Sequence, residues 1–366
     1  MFNRIRLRPE DSRYHRFLLA DRDTGQVKVM EMQRLIFGDR CSPFVAISVV
    51  QRVAEGFKDR FHELAAAVKQ SLYADDYLDS LDTAAEAIER AVQVRSILAF
   101  GDFHLRNWVS NCPTFLYANE PISEAVPVHQ EIALASPDTT TILGVCWRPG
   151  PDVLSFAIHR LEEVVYTRSG LLRKVTGVFD PLGLATPCTI QANIRLKVLN
   201  LGGPRWDAAI LNQEHAWWRD WLERLPQIND MNRCLFPDGD DIVTSQLHTF
   251  VDASEEAFAA AIYILNVYHR GKVMPRLGMA KAKQAPRKTL SVVKLELQAA
   301  LLGTILATYV QLALSRPLSS QHFWTDNSCL RTRVRSTSSY KIFVSHRIGR
   351  STPSRPPKNG ASSPGG

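Results

Sequence analysis

The sequence has few cysteines and lacks the close cysteine pairs of zinc-binding modules. Six cysteines occur among 366 residues, and no two of them are separated by only two residues. A zinc ribbon or zinc finger is therefore not expected, and six scattered thiols are too few for a disulfide scaffold. This usage is typical of a reduced, intracellular protein.

The sequence also lacks the apolar stretch of a secretory signal peptide near its first residue. One segment, residues 295–314, is long and apolar enough to be compared with a membrane span. Polar and charged residues continue on both sides of it, and it contains Glu296, so we interpret it as a buried amphipathic helix. We expect no membrane partner and an intracellular location, in the cytoplasm with the nucleus as the alternative.

The composition is that of a globular protein. Apolar residues make up 45% and charged residues 22% of the chain, which excludes disorder throughout, collagen-like repeats and coiled coil. The net charge of +7 is compatible with a polyanionic partner but does not by itself indicate one. The length predicts two or three domains.

Hydrophobic patterning predicts a mixed α/β and α+β multidomain chain. Residues 31–37, 108–109, 142–147 and 153–158 are expected as strands, and residues 44–57 and 83–100 as helices. Residues 167–240 are expected to be helical and rich in tryptophan. The last part predicts the order β-β-β-α-β, over residues 247–251, 257–265, 273–280, 291–314 and 322–325, which marks a separate α/β domain.

Two adjacent acidic residues follow a tyrosine in the sequence Tyr73-Ala74-Asp75-Asp76. A strand–turn–strand hairpin would carry Asp75 and Asp76 at its tip. Paired carboxylates of this kind are suited to Mg²⁺, and two such ions can activate a hydroxyl and stabilise a leaving group. In isolation, the pattern is more typical of a solvated surface turn than of a metal site.

A second acidic set, Asp252, Glu296 and Asp326, lies in the C-terminal part. Asp252 and Asp326 each follow a predicted strand, and Glu296 lies at the start of the long predicted helix. Carboxylates in such positions can converge on a pair of metal ions. The alternative is that Asp252 and Asp326 are helix N-caps. An unpaired glutamate inside an apolar helix is costly, which favours the metal site.

The order of the N-terminal motifs resembles the palm of a reverse transcriptase. The quoted motif at 73–76 is followed by a predicted helix and residues 105–108, and residues 37–44 and 1–11 precede it. The resemblance implies metal binding by Asp75 and Asp76. It implies contacts to template or nucleotide from Phe2, Gly38, Ser42, Pro43 and Tyr73.

Three further segments resemble Pao/BEL retrotransposon polyproteins, namely residues 143–147, 176–187 and 288–297. Without the resemblance, Phe179-Asp180-Pro181-Leu182-Gly183 would be merely a turn. The resemblance extends to about residue 349. It implies a palm and thumb fragment at 1–165, a helical connection at 166–241, an RNase H-like domain at 247–349 and a disordered tail at 350–366.

The same resemblance assigns the second acidic set to RNase H. Asp252, Glu296 and Asp326 match its catalytic carboxylates, and they would hold two Mg²⁺ or Mn²⁺ ions. The implied partners are an RNA template and an RNA–DNA hybrid. The oligomeric state is left open.

The sequence departs from the family at both ends. The palm's first metal-binding Asp would precede Phe2, and the fourth RNase H carboxylate would follow residue 349. We therefore expect this chain to be inactive alone, without useful polymerase activity and with little or no residual cleavage of a hybrid by the three carboxylates. Two alternatives remain: a catalytically dead remnant that binds nucleic acid, or a decayed reading frame without function. The basic residues that would serve binding are Arg4, Arg6, Arg8, Arg13, Arg16, Lys281, Lys283, Arg287, Lys288, Arg331, Arg333 and Arg335.

Overall fold

The structure, a computed structural model, describes residues 1–73, 75–119, 139–142, 145–156, 165–202, 205–228, 230–288, 290–314, 316–328 and 332. The chain divides into two units. The first contains Met1–Thr140 and Pro149–Pro151, and the second contains Thr141–Arg148 and Asp152–Gly366. Of the sequence motifs above, Ala74, Leu143, Gly144, Thr289 and residues 333–366 lie outside the described residues, as do Cys329 and Arg331.

The first unit combines helices with short hairpins. Its helices are α1 (Pro9–Ser12), α2 (Ser42–Glu55), α3 (His62–Ser71), α4 (Ala84–Phe100) and α5 (Pro113–Ala118). Its antiparallel hairpins pair β1 (Arg16–Ala20) with β2 (Val27–Glu31), and β3 (Leu72–Tyr73) with β4 (Asp76–Tyr77). A 3-10 turn, Phe2–Arg4, precedes them.

The two helices expected in the first unit are confirmed. Pro43 lies in the first turn of α2, where its missing N–H costs nothing. Thr83 and Glu86 form a capping box at the start of α4, each side chain accepting a hydrogen bond of 3.2 Å from the other's backbone N–H. The apolar faces of α2, α3 and α4 then bury Val50, Val68 and Val94 in one core.

Two strands expected in the first unit are wrong. Of residues 31–37, only Glu31 belongs to a strand, and Arg34 makes a single bridge to Arg6. Leu35, in the middle of this segment, is buried in the core shared with helices α2, α3 and α4. Residues 108–109 are irregular, and the Trp108 ring contacts Phe115 edge-on at 5.6 Å.

The second unit contains helices that confirm the expected tryptophan-rich region. They are α6 (Arg168–Gly177), α7 (Thr186–Gly202) and α8 (Asn212–Arg224), followed by a 3-10 turn, Leu225–Gln227. Trp218 is fully buried among them. Trp221 is also buried, and its indole N–H donates to the Cys188 carbonyl at 3.0 Å. The tryptophans therefore form the core between these helices.

A small sheet has the order β5 (Thr140–Ile142), β6 (Val145–Arg148), β7 (Val153–Ser155) and β8 (Met231–Asn232). β6 and β7 are antiparallel and joined by the expected Pro-Gly-Pro turn at 149–151. Asp152 accepts hydrogen bonds from Trp147 at 3.0 Å and from Arg233 at 2.6 Å. These contacts link β8 to the β6–β7 hairpin.

The main sheet contains β9 (Ile242–Ala253), β10 (Ala257–Tyr268), β11 (Val273–Gln284) and β12 (Ser320–Trp324). The 3-10 turn Gly239–Asp241 precedes it. Its order is β11-β10-β9-β12, with β9, β10 and β11 antiparallel and β12 parallel to β9. Helix α9 (Val292–Ala313) connects β11 to β12. The expected β-β-β-α-β order is confirmed.

Helix α9 packs closely against one face of this sheet. Leu295, Leu302 and Leu306 share a buried core with alternate residues of β9 and β10. A side-chain carbon at Gly303 would lie 2.5 Å from Val251 and 2.9 Å from Thr249, so glycine permits the close approach. By length and composition α9 could cross a membrane. Its ten buried residues are those of a core helix instead.

The Asp180-Pro181-Leu182-Gly183 segment does more than turn the chain. The Asp180 carboxylate accepts hydrogen bonds from the N–H groups of Leu184 and Ala185, at 2.8 and 2.7 Å, just before α7. The Leu182 carbonyl accepts from the Ala280 N–H at 2.8 Å, on the free edge of β11. The segment therefore pairs with an edge strand that would otherwise expose its backbone.

Candidate metal centre

Strand register brings two of the predicted carboxylates together. β12 runs parallel to β9, with Trp324 opposite Phe250. Continuing this pairing by two residues brings Asp326 opposite Asp252, about 4.8 Å away across the strands. Asp252 is the penultimate residue of β9, and Asp326 lies two residues beyond the end of β12.

Helix α9 supplies the third carboxylate, Glu296, from its second turn. Ligand oxygens of Asp252, Glu296 and Asp326 all lie within 4.8 Å of one another. Like charges at this separation repel by roughly 3–4 kcal/mol at an effective dielectric of about 20. The arrangement is therefore unfavourable at neutral pH unless a cation or protons compensate it.

Glu296 is the buried member of the cluster. It is 3% exposed, whereas Asp252 and Asp326 are exposed. Burial, followed by the nearby charges of Asp252 and Asp326, raises the pKa of Glu296. Hydrogen bonds from the Asn327 side chain and the Ala253 N–H act in the opposite direction on this pKa, without cancelling the increase.

The donor set fits a hard divalent cation. Three carboxylates supply oxygen ligands of the kind that Mg²⁺ and Mn²⁺ prefer. The Glu296 Oε2 atom is buried and has no hydrogen-bond partner among the described residues. A buried carboxylate oxygen without a partner is costly, and a bound cation would satisfy it.

Aromatic side chains precede two of the carboxylates along β9 and β12. His248 and Phe250 precede Asp252 at alternate positions of β9, and Trp324 precedes Asp326 on β12. The Trp324 ring stacks on His248 and Phe250 with centroid distances of 5.8 and 6.0 Å, and its N–H donates to His248 Nδ1. Burial, followed by the neighbouring His322, lowers the pKa of His248.

The comparisons with known proteins bear on this second unit. Residues 167–327 match the family model of the Pao retrotransposon-like RNaseH-like domain. The match supports a Pao-type retrotransposon region. It spans less than half of the chain and includes all three clustered carboxylates, the Asp180–Gly183 segment and helices α6 to α9. No curated protein matches the sequence.

The other predicted acidic pair lies in the first unit, outside the Pao-type region. As expected, Asp75 and Asp76 lie at the tip of the β3–β4 hairpin, where Tyr73 pairs with Asp76. Partial burial, followed by the charge of Asp75, raises the pKa of Asp76. In the described part of the chain, no third acidic, histidine or cysteine ligand joins this pair, and the only such cluster is Asp252, Glu296 and Asp326.

The remaining predicted site residues are spread over the first unit. Phe2 packs against its core, as do Leu72 and Tyr77 of the hairpin. The Gly38 turn precedes α2, which begins with Ser42 and Pro43. Ser42 is fully buried, whereas Tyr73 is 62% exposed. The structure therefore relates Phe2 to the hairpin through a shared core, and it pairs Tyr73 with Asp76 across that hairpin.

The predicted basic clusters differ in how many of their side chains form ion pairs with carboxylates. In the N-terminal set, Arg4 pairs with Asp102 at 2.8 Å, and Arg16 pairs with Glu31 at 2.7 Å. Lys281, Lys283, Arg287 and Lys288 in the Pao-type region are exposed and make no ion pair within the described residues. Arg333 and Arg335 lie outside the described part, with Arg331. The set formed by Lys281, Lys283, Arg287 and Lys288 therefore retains more positive charge without a neighbouring carboxylate than the N-terminal set does.

Sequence reasoning missed Asn327, whose side chain hydrogen-bonds Glu296. The available signal was its position directly after Asp326, which was weighed only as a helix-cap pattern. The alternative that Asp252 is a helix N-cap is wrong, because residues 253–256 turn into β10 instead of a helix. The Asp252 carboxylate instead accepts a hydrogen bond of 2.7 Å from the Ala253 N–H.

Proposed function

We propose that this chain is a fragment of a retrotransposon polyprotein whose Pao-type region cuts the RNA strand of an RNA–DNA hybrid. The observation that carries the proposal is the convergence of Asp252, Glu296 and Asp326 within 4.8 Å at the end of two parallel strands. The family match over residues 167–327 includes all three. The fold and the carboxylates together favour phosphodiester hydrolysis.

Each carboxylate has a distinct part in this proposal. Exposed Asp252 and Asp326 would hold divalent ions at the surface, where a polymeric substrate has access. Buried Glu296 would fix the position of the ions from below, with Asn327 orienting its carboxylate. Mg²⁺ or Mn²⁺, when bound, supplies an activated water and stabilises the departing oxygen.

We also propose that the first unit is a reverse-transcriptase palm and thumb remnant. The hairpin that carries Asp75 and Asp76, and the order of the motifs around it, support this interpretation. Two carboxylates without a third ligand hold a metal pair poorly. We therefore propose that this unit extends no primer by itself.

A second candidate function is binding of nucleic acid without catalysis, inside the cell. Exposed Lys281, Lys283, Arg287 and Lys288 favour it, because they make no ion pair within the described part of the chain. Binding through phosphates would weaken steeply as the salt concentration rises.

The proposed hydrolysis is tested with a labelled RNA–DNA hybrid and the full chain, in Mg²⁺ or Mn²⁺. Asp252→Asn should reduce metal-dependent cleavage by on the order of 10²–10³. The matched control is Asp240→Asn. It removes an exposed carboxylate that precedes the first residue of β9, at the end of the strand far from Asp252. Equal cleavage by both variants would contradict the proposal, and a wild-type chain that binds but does not cut would favour the second function.

A further inference from the structure

A cavity of about 410 Å³ opens between the helical part and the main sheet of the second unit. Helices α6 and α7 form one wall, and the segment that follows β11 forms the other. The lining residues are Leu172, Asn193, Leu196, Lys197, Asn200, Gln284, Ala285, Pro286 and Arg287. This cavity is separate from the carboxylate cluster, and none of the site residues considered above except Arg287 lines it.

The cavity lies at the same end of the sheet as the carboxylates. Asp252 on β9 is paired with Ala259 on β10, and Ala259 is paired with Ala282 on β11. Two strand spacings separate Asp252 from Ala282, or about 10 Å. The cavity wall begins two residues further along β11, at Gln284. The Ala285 N–H donates to the Glu256 carbonyl at 2.7 Å, which holds this wall against the β9–β10 turn.

The polar groups of the cavity are suited to an anion. Lys197 and Arg287 contribute positive charge, and no carboxylate is among the lining residues that the structure describes. The Lys197 ammonium donates a hydrogen bond to the Ala285 carbonyl at 2.7 Å, and two of its three N–H groups have no partner within the part of the chain that the structure describes. Arg287 is exposed and makes no ion pair within the described residues. The amides of Asn193 and Gln284 add further donors.

We infer that this cavity binds a backbone phosphate of the nucleic acid that the carboxylates cut. The inference rests on the proposed function, and it adds residues of the helical part to the substrate surface. Phosphates of one strand recur every ~3.4 Å along a duplex axis. A site on the order of 10–20 Å from the carboxylates, by the strand spacings above, would take a phosphate roughly three to six nucleotides from the cut. Lys281 and Lys283 continue the positive surface along β11.

The test compares two arginine substitutions of equal charge change in the full chain. Arg287→Gln alters the cavity, and Arg270→Gln alters the exposed turn between β10 and β11, at the opposite end of the sheet. A short RNA–DNA hybrid is titrated at several salt concentrations, and binding is followed by fluorescence anisotropy. Arg287→Gln should weaken binding ~3- to 10-fold and reduce the slope of log affinity against log salt by about 1. Arg270→Gln should change neither.

Lys197 gives a second variant pair. Lys197→Gln should reduce the salt slope in the same way, whereas Lys197→Arg keeps the charge and should largely retain it. Thermal unfolding of each variant shows whether loss of the bond to Ala285 has disturbed the fold. If Lys197→Gln unfolds early, the Arg287 pair alone decides the outcome.

The results separate this inference from the proposed function. If Asp252→Asn abolishes cleavage while Arg287→Gln binds the hybrid like wild type, the hydrolysis stands and the phosphate site is wrong. If Arg287→Gln lowers the salt slope but the chain never cuts, the phosphate site stands without the catalytic function. Equal losses in Arg287→Gln and Arg270→Gln would overturn the site, because they would show general attraction only. A chain that binds no hybrid would overturn both.

Discussion

Glu296 combines burial with the charge of two neighbouring carboxylates, and its stability effect can be measured without substrate. Its pKa is raised in the folded chain, so the folded state binds this proton more tightly than the unfolded state does. The free energy of unfolding should therefore fall as pH rises from the ordinary glutamate range towards the raised value. Glu296→Gln should remove this loss and therefore raise the free energy of unfolding of the metal-free protein at neutral pH.

Urea denaturation at acidic and neutral pH, in the presence of a chelator, measures this effect. Glu255→Gln is the control, because Glu255 is exposed in the β9–β10 turn of the same unit. A Glu296→Gln variant that is less stable than wild type at neutral pH would show that the charge is compensated in the folded protein.

At the residue scale, sequence reasoning could find groups whose position is unusual for their type. Glu296 was predicted as a ligand because a carboxylate inside an apolar helix needs a partner. Lys197 carries no such signal, since lysine on a helix is an ordinary surface residue, and the position of Asn327 directly after Asp326 is only a weak signal. Their contacts, to Ala285 and Glu296, depend on packing between distant segments.

The Asp180–Gly183 segment contacts β11, the edge strand of the main sheet, and this contact depends on Gly183. Gly183 has a φ of +76°, and a side-chain carbon there would lie 1.7 Å from the Ala280 carbonyl oxygen. Gly183→Ala should therefore displace the loop from β11 and destabilise the second unit by about 3 kcal/mol or more. Gly271→Ala, also at positive φ but with open space around it, should cost only about 1 kcal/mol.

Chemical denaturation of both glycine variants, followed by tryptophan fluorescence, makes the comparison. The tryptophans of α8 report on the second unit because Trp218 and Trp221 are buried there. Equal losses of stability in Gly183→Ala and Gly271→Ala would mean that backbone strain alone matters and that the loop does not depend on its contact with β11.

Helix α9 sets the position of Glu296 through its distance from the sheet. Gly303→Ala would overlap Val251 and Thr249, whose branched side chains have little freedom to move. We expect a net loss of about 1–3 kcal/mol despite alanine's better helix propensity, and weaker Mg²⁺ binding as Glu296 moves. Gly278→Ala is the control, since its new carbon would meet only ordinary contacts at 3.6 Å or more. Unchanged Mg²⁺ affinity in a destabilised Gly303→Ala chain would contradict the positioning role.

At the element scale, the order of the strands and the helix along the chain was easier to predict from the sequence than the length of each strand. The β-β-β-α-β order followed from apolar runs separated by turns, but the strands are longer than these runs. β11 reaches Gln284 although Lys281 and Lys283 interrupt its apolar pattern, because its backbone pairs with β10 along the whole length. The strand expected at residues 31–37 was wrong because Leu35 is buried against helices, and its segment makes an isolated bridge, between Arg34 and Arg6, instead of a continuous strand pairing.

The whole molecule contains two acidic sets, one in each unit, and both follow sequence patterns that predict metal binding. The structure distinguishes the two sets by the number of metal-binding side chains that converge in each. Three carboxylates meet in the second unit, whereas the Asp75–Asp76 tip has no third ligand within the residues that the structure describes. The sequence could not make this distinction, because convergence depends on strand register and helix packing far along the chain.

This difference predicts where Mg²⁺ binds in the full chain. Isothermal titration of wild type with MgCl₂ or MnCl₂ should give binding that Asp252→Asn reduces at least ~10-fold, because one of three ligands is lost and the remaining charge attracts the ion less. Asp75→Asn and Asp76→Asn should leave this binding unchanged. Bound metal should also raise the melting temperature of wild type, because it binds the folded state. The increase should be smaller in Asp252→Asn, which binds the metal more weakly. If Asp75→Asn removes the measured binding and Asp252→Asn does not, the hairpin of the first unit is the metal site, and the carboxylates of the Pao-type region are held together by protons instead.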